Sequence, residues 1–302
     1  MTFHDLEVLL AFSATEHLGA AAEQLGYSVA SVQRTIRALE GKLGVALIER
    51  DGRRVRLRQP GWVLAQHAAR VLRSRSDALD AVLAAAGLGE VPLRVGHTFS
   101  LGISVVPRIV ARLLRASPAI RITLRQGPAT AMVATLLSGG IDAAFTSISP
   151  VEPDIRVVPL FSEELLLAVG RDDPLAARER VDLAEVRERD FVAMADGSNS
   201  RGFLMRACAR AGFTPRIAME TDDLFSVQGA VGAGVGVSVL PARMSDHDHP
   251  GVALVPLDEA VPTHRTICLA YRENPAREGA LRALRAAALE QVALDPSLHQ
   301  TQ

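Results

Sequence analysis

Apolar and polar positions follow a helical period near the start of this chain. In "SVASVQRTIRALEGKLG" (28–44), Val32, Ile36, Leu39 and Leu43 fall at i, i+4, i+7 and i+11, an apolar stripe that needs a core. Val29, Ala30, Gln33, Arg34 and Arg37 fall off that stripe and face outward. Upstream, Thr2 with Asp5 makes a capping-box start to a first helix carrying Leu6, Leu9, Leu10 and Phe12. The small residues of "GAAAEQL" suit a short, closely packed second helix, Gly26 supplies a turn, and Ser28 caps the third helix. That order is a helix-turn-helix pattern. Next, "ALIERDGRRVRL" sets two short β-prone runs around Asp51-Gly52, a hairpin signal that predicts a wing presenting Arg53 and Arg54.

Pro60-Gly61 opens a helix predicted to reach about Ala86, with Val63, Leu64, Ala68, Val71, Leu72, Leu79, Val82 and Leu83. It is long for a helix that packs within one domain, which points to a linker that pairs with a second copy. "GLGEVP" ends it and marks a domain boundary. From Pro92 onward the pattern changes. "LRVGH", "IRITLRQG", "DAAFTSI", "EELLLAVG", "DFVAMA", "GVGVSVLP" and "TICLAYR" read as strands. Helical stretches such as "VPRIVARLLRA", "ATAMVATLLSG", "SRGFLMRACARAG" and "DDLFSVQGAVGAG" fall between them. That alternation predicts an α/β architecture with largely parallel sheets, as one large unit or two lobes.

Composition narrows the function classes. The chain has 302 residues, 48% of them hydrophobic, enough for sizeable cores. No apolar run reaches the roughly 18 residues of a membrane span, so no membrane partner is expected. "MTFHDLEVLLAF" lacks a basic leader region and carries Asp5 and Glu7, so no signal peptide is expected and the predicted location is the cytoplasm. Cys208 and Cys268, the two cysteines, form neither a disulfide framework nor a zinc pattern; two reduced, buried thiols are expected, with a redox pair as the alternative.

Net charge is only −1, but its distribution is uneven. Between Ser28 and Arg58 stand Arg34, Arg37, Lys42, Arg50, Arg53, Arg54, Arg56 and Arg58 against Glu40, Glu49 and Asp51. A basic island on a neutral chain indicates a local polyanion site.

Catalytic chemistry finds little support. "GAGVGV" (232–237) suggests a dinucleotide loop, yet here a helix precedes and a strand follows, the reverse of the Rossmann order. "SDHDH" (245–249) has ligand-type side chains without a third anchor at metal spacing, and reads as a polar loop. There is no G-x-S-x-G nucleophile elbow. No catalytic residue, metal or cofactor is therefore expected.

The run "LLAFSATEHLGAAAEQLGYSVASVQRTIRALEGKLGVALIERDGRRVRLRQPG" closely resembles the N-terminal domain of LysR-type transcriptional regulators. "AAAEQL", "RTIRALEGKLGVALIER" and "GRRVRL" carry the likeness, and "GAVGAGVGVSVLP" resembles the family's pattern of a helix ending in Gly-rich turns before a strand. The resemblance implies an N-terminal winged helix-turn-helix over 1–58, a linker and dimerisation helix over 59–88, and an effector-binding domain over 91–302. The last is a two-lobed α/β domain akin to periplasmic binding proteins, with lobe I at 91–161 and 268–302 and lobe II at 162–267.

A recognition helix places its N-terminal residues at base edges in the major groove. On that basis Val29 and Ala30 are expected against thymine methyls, Gln33 at adenine and Arg34 at guanine, while Arg37, Arg53 and Arg54 suit phosphates. Val29, Ala30 and Gln33 depart from the family's frequent Gln, Pro and Ser, so a relative's operator does not transfer. Family position puts Thr98, Phe99, Ser100, Thr130 and Thr146 on one wall of an effector cleft. Ser198, Asn199, Ser200, Arg201, Thr221 and Phe225 come from the other. Hydroxyls and helix N-termini suit oxyanions, and Arg201, if inward, pairs with a carboxylate, so a small organic acid is the expected effector. The implied partners are double-stranded DNA bearing an interrupted palindrome, a second copy and then a tetramer, and RNA polymerase during activation. A solute-binding protein or a metabolic α/β enzyme, the competing readings, would leave the first ninety or so residues without a role.

Overall fold

Thr2 and Asp5 exchange reciprocal hydrogen bonds at the start of α1 (Phe3–Thr15), the capping box that the sequence announces. Two more helices follow: α2 (Leu18–Leu25) and α3 (Val29–Leu43). Gly26 and Gly44, at φ 69° and 68°, take the left-handed conformations that end α2 and α3. The computed structural model describes residues 1–51, 54–86, 90–196, 198–247, 249–258 and 264–298. Among the described residues, no helix is long and apolar enough to cross a membrane.

The chain divides into two compact units, Met1–Gly89 with Leu137–Gly140, and Glu90–Leu136 with Ile141–Gln302. In the first, Val32, Ile36 and Leu39 of α3 pack with Leu9 and Phe12 of α1 and Ala21 and Ala22 of α2. Each buried aliphatic side chain contributes about 1.5–3 kcal/mol. Leu43, expected on the same stripe, is exposed because the helix ends there and the last turn lies past the core. Next come the antiparallel strands β1 (Ile48–Asp51) and β2 (Arg54–Leu57), then the 27-residue α4 (Gln59–Ala85).

Two carboxylates tie this hairpin to the helices. Glu40 of α3 accepts the N–H groups of Leu47 and Ile48 at 2.7 and 3.1 Å, and Glu16 accepts that of Leu57 at 2.7 Å. Glu40 is therefore an anchor rather than a solvated interruption of the basic face.

The second unit runs β3 (Val91–His97), α5 (Val105–Ala116), β4 (Ile120–Gln126), α6 (Ala129–Leu137), β5 (Ala143–Thr146) and β6 (Ile155–Gly170). It continues through β7 (Asp190–Met194), α7 (Asn199–Arg210), β8 (Arg216–Thr221), α8 (Leu224–Gly232), β9 (Ser238–Pro241), β10 (Val252–Val255), β11 (His264–Arg272) and α9 (Glu278–Leu294). A seven-stranded sheet has the order β10-β6-β11-β5-β3-β4, with β9 also on β6, and β7 pairs with β8.

The expectation of largely parallel sheets needs correction. Pairs joined through a helix are parallel, as in β3–β4, β3–β5 and β7–β8, but every pairing of β6 or β11 is antiparallel. The reason is that β6 runs out of one core into another, and β11 returns beside it. Phe161 and Ile267 belong to the core built on β3, β5, α5 and α9, whereas Leu165 and Leu167 belong to a core with Phe191, Leu204 and Val237.

Replacing Glu40 by Ala is expected to lower stability by about 1–2 kcal/mol, because two backbone donors lose their acceptor. Urea unfolding followed by circular dichroism reads the loss; Glu40→Gln, which keeps an acceptor, is expected to recover much of it.

Candidate functional site

At the N-terminus of α3, Ser28 accepts the Ser31 N–H at 3.2 Å, fixing the entry of the chain into the helix. Val29 and Ala30 in the first turn are exposed, Gln33 is half-buried, and Arg34 and Arg37 are exposed. Neither arginine has an ion-pair partner among the described residues, whereas Lys42 is spent on Asp5 at 2.8 Å and Arg58 lies 3.5 Å from Glu49. The Lys42 hydrogen bond holds the Asp5 carboxyl below the usual range. Arg53 and the Arg54 side chain lie outside the described residues. Arg50 and Arg56, counted in the basic island but not assigned a contact from the sequence, are exposed on the hairpin without an ion pair among the described residues. Strand alternation was the signal available for Arg56, which shares a face with Glu49, whereas Arg50 shares the face of Val55 and clears the core only at the strand's end. A cationic face with unspent guanidinium groups beside a presented helix N-terminus suits a phosphate backbone and base edges.

The second unit holds a cleft where strand ends of the β3–β5 core meet the start of α7. Its lining includes Thr98, Phe99, Ser100, Gly127, Pro128, Ala129 and Ser147 on one side, and Met194, Ser198, Asn199, Ser200 and Leu224 on the other, with Arg265. Its cavity volume is about 20 Å³, room for about one water with the walls placed as they are here. A larger depression of about 700 Å³ lies by Gly170 and Val231–Val237, but of its arginines Arg189 and Arg216 are paired with Asp173 and Asp190, and Arg171 donates to the Val252 carbonyl. The smaller cleft has the more suitable chemistry.

Thr98 is the telling residue. It is buried, it does not cap the 3-10 turn Phe99–Gly102 that follows, and its Oγ1 has no hydrogen-bond partner among the described residues. An unsatisfied buried hydroxyl carries a desolvation cost that a ligand would relieve. The neighbouring His97 is buried, which pushes its pKa down, and its Nδ1 lies 3.1 Å from the Thr98 carbonyl oxygen, bracing the loop. Across the cleft, Ser198 spends its oxygen capping α7, while Asn199 Nδ2 donates to Ser147 Oγ at 2.8 Å and bridges the two walls. The first-turn N–H groups of α6 and α7 point a partial positive charge toward this space.

Of the positions proposed from the sequence, Thr98, Phe99, Ser100, Ser198, Asn199 and Ser200 line the cleft. Others fall outside its lining. Thr130 is exposed beside the lining residue Ala129. Thr146 is fully buried and its Oγ1 accepts the Ile148 N–H, leaving Ser147 at the surface of the cleft. Arg201 donates to Glu220 and to the Met194 carbonyl, which holds it out of the lining. Thr221 ends β8, and Phe225 stacks edge-on against His247 at 4.6 Å. Ser147, Met194, Leu224 and Arg265 were not singled out, since no local pattern marks them.

Both thiols are buried. Cys208 packs in the core with Phe191 and Leu204, where burial pushes its pKa up to about 12. Cys268 lies on β11 against the Thr146 and Ile148 carbonyls, its pKa likewise raised by burial.

Comparison with known proteins finds matches to both units. The family model described as "Bacterial regulatory helix-turn-helix protein, lysR family" matches residues 3–61, and "LysR substrate binding domain" matches 86–293. The malonate utilization transcriptional regulator of Klebsiella pneumoniae is 30% identical over 289 residues, covering 95% of this chain and 94% of that protein. The hydrogen peroxide-inducible genes activator of Pectobacterium carotovorum is 30% identical over 281 residues, covering 92% and 93%. Among solved structures, full-length CbnR complexed with its target DNA matches with a TM-score of 0.69 at 25% identity, covering 97% of this chain and 99% of that one.

The buried thiols make a direct prediction. In the folded protein at pH 8, iodoacetamide is expected to leave Cys208 unmodified, and in urea to alkylate it fully, as read by mass spectrometry. Rapid alkylation of Cys208 without denaturant would contradict its placement.

Proposed function

The chain belongs to the LysR family of DNA-binding transcriptional regulators, and we propose that a small organic anion held in its cleft modulates how it binds an interrupted palindromic operator. The observation that carries the anion reading is the unpartnered Thr98 hydroxyl, set beside Ser100 and the α7 N-terminus at the cleft. Met194 and Leu224 add an apolar side, suited to the carbon skeleton of such an acid. Arg201, already engaged by Glu220, has no part in this reading. The protein acts as a receptor rather than an enzyme, in the cytoplasm where promoter DNA lies.

DNA contact is assigned to Val29, Ala30, Gln33 and Arg34 at base edges and to Arg37, Arg53 and Arg54 at phosphates. A dimer presents two such helices to successive major grooves. The exposed Val71, Leu79, Val82 and Leu83 of α4 support pairing through that helix. Dimers join into a tetramer, and contact with RNA polymerase accompanies activation. The effector shifts the DNA-bound arrangement only as far as it binds one arrangement better than another.

The likeness to a peroxide-inducible activator raises a second reading, thiol oxidation. Two observations disfavour it: neither thiol is accessible, and both have raised pKa values, so little thiolate forms.

Two outcomes test this account. Arg34→Ala is expected to cost about 1–3 kcal/mol on a specific operator and to relax base preference, measured by fluorescence anisotropy against random DNA. Equal weakening on both DNAs would make Arg34 a phosphate contact. Acetate, malonate, succinate and benzoate, titrated into the full chain by calorimetry, are expected to include at least one binder that alters the DNase I footprint. A saturating binder that leaves footprint and bend angle unchanged would overturn the proposed modulation.

A further inference from the structure

Among the described residues that line the cleft, Arg265 alone carries a charge. Its side chain is 2% exposed. Nε and Nη2 lie 2.8 and 2.7 Å from Glu163 Oε2, and Nη2 donates to Ser100 Oγ at 2.6 Å. Guanidinium groups only donate, so Ser100 must accept this bond with a lone pair. The proton of Ser100 has no acceptor among the described residues. It is left to the cleft, as is the unpartnered hydroxyl of Thr98 two residues earlier.

The charges behind Ser100 balance, two guanidinium groups against two carboxylates, but they are not evenly placed. Glu163 Oε1 accepts the Arg243 N–H at 3.0 Å and lies 3.4 Å from Arg243 Nε, so one buried carboxylate serves two buried guanidinium groups. Arg243 has a second acid, Asp246, 3.7 Å from its Nη1, and Arg265 has no second acid among the described residues. Arg265 lines the cleft while Glu163 and Asp246 do not, so the positive end of this neutral cluster faces the occupant, in a low dielectric that strengthens it.

We infer that Arg265 is a positioning residue for effector selectivity: it turns Ser100 into a hydrogen-bond donor and backs it with buried positive charge, so the cleft prefers a carboxylate to its neutral isostere. This rests on the anion reading above and names the group that enforces it. Arg265 acts through Ser100.

The test is calorimetry on the full-length protein with four acid and amide pairs: acetate and acetamide, malonate and malonamide, succinate and succinamide, benzoate and benzamide. Wild-type protein is expected to favour at least one acid over its amide. Arg265→Gln is expected to cut that preference about tenfold or more, with amide affinity little changed. Arg265→Lys, which restores the charge, is expected to recover part of it. In the double variant Arg265→Gln/Ser100→Ala the loss is expected to be less than the product of the single losses, because the residues act as one unit. An unchanged preference in Arg265→Gln, or equal loss for acid and amide, overturns the role of Arg265 and leaves the anion reading standing. Wild-type protein that binds none of the four acids overturns both. Should Arg265→Gln fail to fold, Ser100→Ala, which keeps the ion pair, must itself lose the preference; retention there overturns the inference.

Discussion

The antiparallel pairing of β6 with β11 is the constraint on which the second unit depends. Both strands leave one hydrophobic core and enter the neighbourhood of the other, and Glu163 stands opposite Arg265 where they cross. A buried ion pair is a weak source of net stability, but breaking it strands a charge in low dielectric. That asymmetry penalises any slip of register, since a one-residue shift would set Glu163 against a different partner and turn side chains to the other face. The register also delivers Arg265 to the back of Ser100, so the strand crossing and the cleft share one set of atoms.

The DNA-facing unit follows a simpler logic. The α3 stripe of Val32, Ile36 and Leu39 commits one face of the helix to the core, and the remaining positions can only look outward. Glu40 then fixes the start of β1 to that helix, and Glu16, at the end of α1, holds the end of β2, both by accepting backbone donors. A presented helix face and a basic hairpin thus come from one short segment with a local excess of arginine.

Much of this was legible because the information is local. Capping boxes, helix periods and the hairpin signal at Asp51-Gly52 depend on residues a few positions apart, and β1 and β2 do pair antiparallel, with Asp51 in the strand opposite Arg54. Thr98, Ser100, Ser198 and Asn199 were legible as polar residues where strands end and helices begin, with the family resemblance placing those ends on a cleft. Arg265 was not. Its meaning depends on Glu163, 102 positions away, and on Ser100, 165 away, and nothing near it in sequence marks a buried cation. Arg201 shows the converse, for a cation at a helix start looks available until Glu220 arrives from β8. The antiparallel returns of β6 and β11 were hidden for the same reason: alternation of strands and helices reports local order but not which strands meet.

Sequence-specific DNA recognition under effector control is the central claim, and its first half is the most exposed to test. Genomic fragments from the host, selected by the purified protein at moderate salt and then sequenced, measure it directly. The account predicts a few sharply enriched sites sharing an interrupted palindrome. Uniform, salt-sensitive enrichment with no shared site, persisting when carboxylates are added, would contradict it.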